Sequence, residues 1–84
     1  MYECYLTFRS ITPCQQGQRY LSEQHIRSQM LRTPKSVASK GCGYSLKLNE
    51  TTISLAASKL SQAQIPYQRA YRIYPDGRVE ELFL

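Results

Sequence analysis

The 84-residue chain is predicted to fold as an α+β domain, a ferredoxin-like βαββαβ sandwich with a short extra strand at its end. Three observations carry this expectation. Tyr2, Cys4, Leu6 and Phe8 alternate with Glu3, Tyr5, Thr7 and Arg9, the period of a strand. Ile53, Ala56, Ala57, Leu60 and Ala63 recur at helical spacing and form the cleanest apolar stripe in the chain. Between and beyond them, Pro- and Gly-bearing breaks at Pro34, Pro66 and Pro75-Asp76-Gly77 divide the remaining residues into strand-length pieces.

The elements follow in order. After the first strand, Ser10-Ile11-Thr12-Pro13 carries helix-start signals: hydroxyls able to cap, and a proline suited to the first turn. This helix is expected to run to Glu23 or Gln24, with Cys14, Gly17, Gln18 and Leu21 on one face. Gly17 would let the helix approach the sheet closely. Ile26 to Leu31 reads as the second strand. Arg32 to Lys40 reads as a loop, because Pro34 disfavours continued pairing. Tyr44, Leu46 and Leu48 alternate with Ser45 and Lys47 in a third strand. Asn49 to Thr52 supplies turn and capping residues for the striped helix, which Ile65-Pro66 ends. Tyr67 to Tyr74 reads as a fourth strand, Pro75-Asp76-Gly77 as a turn, and Arg78 to Phe83 as a short fifth strand. There is no internal repeat, and residues 1–84 are expected to form a single domain.

Composition narrows the function classes. A chain this short buries only about 60% of its unfolded surface, so its stability is expected to be marginal. No apolar run approaches the roughly 20 residues that span a bilayer. Met1 to Leu6 lacks the basic-then-apolar pattern of a signal peptide, and a cytoplasmic location is expected. Three cysteines, Cys4, Cys14 and Cys42, give no disulfide framework and no Cys-x-x-Cys pair, and the single histidine, His25, reads as a surface residue near a helix end. Neither a metal site nor another cofactor is expected. The formal charge of +5 favours anionic partners without choosing among them.

The stretch that invites chemistry is Lys40-Gly41-Cys42-Gly43-Tyr44. Two glycines leave the thiol of Cys42 room, and a lysine favours the thiolate. The plain alternative is that Cys42 fills space, as most free cysteines do. In the expected topology the first and third strands are antiparallel neighbours. Cys42 would then lie near Arg9 and Ser10, by the amino end of the first helix, where open N–H groups stabilise negative charge. Against this stands strand phase: Cys42 is in register with Tyr44, Leu46 and Leu48, which a regular strand turns toward the packed side.

Three segments spanning most of residues 5 to 65 resemble the family of small bacterial selenium/sulfur carrier-like proteins. These are Tyr5-Leu6-Thr7-Phe8-Arg9-Ser10, the loop from Pro34 to Gly43 with its closing Cys-Gly, and the amphipathic helix with its Ile-Pro exit. The resemblance implies that Cys42 holds sulfur or selenium as a persulfide or selenyl-sulfide, with room for the extra atom beside Gly41 and Gly43. It implies a donor protein and an acceptor thiol protein as partners; the lack of a membrane-length apolar run argues against a membrane. Lys40, Arg9 and Ser10 are expected to border the site. Cys14 is a local candidate for a resolving thiol, outside the family pattern. A homodimer is compatible with the sequence.

Two other readings compete. Lys40 to Tyr44 also matches the start of the signature strand of an RNA-recognition motif, yet Cys42 and Lys47 occupy positions where aromatics should stack, so nucleic acid is disfavoured. A non-catalytic interaction or regulatory domain is the third class.

Overall fold

The computed structural model describes residues 2–34 and 43–84. Seven elements follow one another: β1 (Glu3–Phe8), α1 (Ile11–Glu23), β2 (Gln29–Arg32), β3 (Tyr44–Leu48), α2 (Ile53–Gln62), β4 (Arg69–Ile73) and β5 (Val79–Leu82). The strands form one antiparallel sheet in the order β2-β3-β1-β4-β5. The molecule is thus a mixed α+β domain of two helices on a five-stranded sheet. The last strand extends the expected four-stranded core at its β4 edge, because Pro75-Asp76-Gly77 turns the chain straight back. Gly77 takes φ 92°, its N–H donates to the Tyr74 carbonyl, and Asp76 Oδ1 accepts from the Arg78 N–H.

The expected alternation sorts the sheet into two faces. Cys4, Leu6 and Phe8 of β1 meet Leu46 and Leu48 of β3 and Ala70 of β4, all buried, under Cys14 and Leu21 of α1 and Ile53, Ala56, Ala57 and Leu60 of α2. Gly17 lets α1 sit close to this layer. A Cβ there would stand 3.3 Å from Phe8 Cζ and 3.4 Å from both Leu46 and Leu60. The opposite face is less polar in its setting than alternation suggests. Tyr5, Thr7 and Ser45 are buried as well, because β1 and β3 lie inside the sheet and neighbouring strands shield them on both sides.

Both helices end in the same way. His25 (φ 62°) and Gln64 (φ 59°) take the left-handed conformation. The N–H of Ile26 then reaches the Leu21 carbonyl at 2.8 Å, and that of Ile65 reaches Leu60 at 2.9 Å. These are Schellman closures, which satisfy carbonyls the helix would otherwise leave open. His25 is therefore an exposed residue just past a helix end, as its sequence position suggests. Ile26 belongs to this cap and not to β2, which starts three residues later than the apolar pattern implies.

Candidate functional site

The end of β1, the start of α1 and the start of β3 meet at one edge of the sheet. Phe8 is paired with Tyr44, so the chain leaves β1 at Arg9 beside the point where it enters β3 at Gly43. Gly43 is closely surrounded there, and a side chain would make its neighbours give way. A Cβ would lie 3.1 Å from the Phe8 carbonyl oxygen and 3.2 Å from Thr33 Oγ1. Its own carbonyl accepts the Thr33 N–H at 2.9 Å, which extends the β2–β3 pairing one step toward the loop. Behind it, Thr33 and Ser45 share a hydroxyl–hydroxyl hydrogen bond of 2.7 Å, and Ser45 is fully buried. Thr7 accepts from the Arg69 N–H at 3.2 Å and so ties β1 to β4. These hydroxyls did not stand out in the sequence. Only the central position of β1 and β3 marks them, since a buried hydroxyl must find a partner.

Arg9 and Ser10 are exposed at this edge. Ser10 is the N-cap of α1, in extended conformation, and its hydroxyl makes no cap bond. Pro13, at the third helical position, removes one of the two N–H groups a capping oxygen can accept from, and leaves that of Thr12. No acidic residue stands in the first turn. Neither its own first turn nor its N-cap side chain therefore neutralises the positive end of α1. Lys40, Gly41 and Cys42 lie outside the described residues. Of the predicted site residues, the structure brings together Gly43, Arg9 and Ser10, and Gly43 follows Cys42 directly in the chain.

Cys14 is elsewhere. It is fully buried in the core on the inner face of α1, and burial pushes its thiol up to about 11. Cys4 is equally buried. Burial raises its thiol too, partly offset by the Arg72 guanidinium opposite it on β4. Both thiols are buried and held protonated by that burial, and a resolving role for Cys14 would require α1 to lift from the sheet. Among the described residues no three His, Cys, Asp or Glu side chains converge on a metal position, and no helix is long and apolar enough to cross a membrane. Tyr44, where an RNA-recognition strand would present an aromatic to bases, packs against the core with Arg32 over its ring. That leaves the RNA reading without support.

The model of the family described as "Putative Se/S carrier protein-like" matches residues 3–72. The chain belongs to this family. The match takes in β1 through nearly all of β4 and leaves out the β4–β5 turn and β5. No curated protein and no solved structure is significantly similar to the chain. Gly43, which lies at the edge with Arg9 and Ser10, is the glycine of the Cys-Gly pair in the sequence.

Proposed function

We propose that the protein carries a sulfur or selenium atom on Cys42 and passes it from a donor persulfide to an acceptor thiol. The observation that supports this most is the fit at Gly43. The residue after the cysteine lies against the β1 carbonyl and the Thr33 hydroxyl, at the edge where α1 presents a positive end that neither its first turn nor its N-cap side chain neutralises. A thiolate at such an edge is favoured over a thiol. Lys40 and Arg9 would add positive charge, and Gly41 with Gly43 would leave space for a second chalcogen atom. We also read the inner strands β2-β3-β1-β4 with their two helices as a ferredoxin-like core to which β5 is appended.

The chemistry is thiol exchange without net oxidation. The Cys42 thiolate attacks the outer sulfur of a donor R–S–SH. The Cys42 S–S bond forms, the donor S–S bond breaks, and the donor leaves as a thiolate. An acceptor thiolate then attacks the same outer sulfur, and Cys42 is released. A selenium atom would follow the same two steps through a selenyl-sulfide. Donor and acceptor are separate proteins that dock in turn at this edge in the cytoplasm.

The test is loading. Reduced protein exposed to a low-molecular-weight persulfide should gain the mass of one sulfur atom, and Cys42→Ser should gain none. Before loading, a thiol-alkylating reagent should label native protein at Cys42 alone, with Cys4 and Cys14 reacting only after denaturation. Equal loading of Cys42→Ser, or native labelling at Cys14 first, would overturn the proposal.

A further inference from the structure

A second candidate surface lies at the other end of β3. There the outer side of α1, the start of β2 and the end of β3 border an open groove of about 1240 Å³. Its walls mix apolar surface with several polar side chains. Gln15, Gln18 and Arg19 come from α1, Arg27 and Ser28 from the approach to β2, and Asn49 from the residue after β3. Along β3, Gly43 and the groove are separated by about 17 Å, taking five residues at roughly 3.3 Å each.

We infer that this groove docks an extended acidic segment of a partner protein. Four observations lead to that occupant. Among the described residues, neither Arg19 nor Arg27 has a carboxylate at salt-bridge distance; the ion pairs formed involve Lys47, Arg69, Arg72 and Arg78. Ser28 Oγ is shielded from solvent with no hydrogen-bond partner, so this side chain at the groove wall gains one only by turning toward an occupant. The groove is open to solvent and not an enclosed small-molecule pocket, and among the described residues β2 is an edge strand with no strand paired on its outer side. An extended peptide can enter such a site sideways and use the free edge of β2 for its backbone. Finally, His25 is the one aromatic ring among the described lining residues and only Ile26 and Leu48 are aliphatic, so the groove offers no run of rings for successive bases and no large apolar side chain as a membrane anchor. The acidic Glu23 in the wall would restrict carboxylates to the Arg19–Arg27 side. The inference does not depend on the chemistry of Cys42.

A fluorescein-labelled hexaglutamate peptide provides the probe, followed by fluorescence anisotropy at low ionic strength and by backbone amide NMR of the full chain. Binding is expected to shift the amides of Arg19, Arg27, Ser28 and Gln29. Arg19→Glu/Arg27→Glu should weaken it by at least about tenfold, since two exposed ion pairs are lost and replaced by repulsion. The charge-matched variant Lys59→Glu/Arg78→Glu, away from the groove, should stay within about threefold of wild type. Amide spectra of both variants report whether they remain folded. No binding, equal weakening by both variants, or shifts confined to other surfaces would overturn the inference. So would orthophosphate titrating the groove amides while the peptide fails to bind, because that would mark a small-ion site only.

Discussion

At the scale of single residues, the account turns on which polar groups have partners. Ser45 is fully buried and the Thr33 hydroxyl is its bonded neighbour. Thr33→Val should therefore cost about 1–3 kcal/mol, the penalty for stranding a buried hydroxyl. Adding Ser45→Ala should recover most of that, since removing both partners leaves nothing unsatisfied. Urea denaturation of the two single variants and the double variant measures the coupling. Cys14 supplies a pH signature. Its thiol titrates near 9 when unfolded and at about 11 when folded, so the folded state holds the proton longer. The stabilisation is complete below the unfolded value and is lost as pH rises toward and through the folded one. The loss amounts to at most about 3 kcal/mol. Stability curves from roughly pH 8 to 11 should fall more steeply for wild type than for Cys14→Ala; parallel curves would contradict the burial of the thiol. Alternation in the sequence marked Cys4 as a core residue, and helical spacing did the same for Cys14. It could not mark Ser45 and Thr7, because alternation assigns a face and says nothing about how many strands flank it.

At the scale of elements, the helix ends are the features easiest to improve. His25 and Gln64 hold left-handed φ values that cost a side chain about 1–2 kcal/mol relative to glycine. Allowing for the greater freedom glycine has when unfolded, His25→Gly and Gln64→Gly should each raise stability by about 0.5–1 kcal/mol. An unchanged melting temperature for both would show that the caps are not strained. The same caps explain where the sequence reading of β2 went astray. Ile26 is apolar because it closes the α1 cap and packs in the core, and not because a strand begins there. Gly17 is a different case. Its close approach to Phe8, Leu46 and Leu60 was expected from its helical face, and Gly17→Leu should cost at least about 1–3 kcal/mol by overpacking that junction.

At the scale of the whole molecule, one small core holds two helices to five strands. Leu60, fully buried between the helices and the sheet, illustrates the margin. Leu60→Ala should cost about 2–5 kcal/mol, a large part of the 5–15 kcal/mol that stabilises an ordinary domain, and calorimetry should show a substantially lowered melting temperature. The order of elements and the antiparallel pairing of β1 with β3 were legible because strong periodicities flank clear turn residues. The groove beside α1 was not, since its lining residues are dispersed from Gln15 to Asn49 and meet only through the fold. The meeting of the end of β1 with the start of β3 beside Gly43 was legible from the element order, and the family match supports a carrier. The central claim, that Cys42 holds a transferable chalcogen, is tested most directly by following one labelled atom. Protein loaded from a persulfide with radiolabelled outer sulfur is mixed with an acceptor thiol, and label is quantified on the Cys42 peptide and on the acceptor. The account predicts label on Cys42 that moves to the acceptor in equal amount, with none on Cys42→Ser. Label held by Cys14 or Cys4, or label that reaches the acceptor equally well with Cys42→Ser, would contradict it.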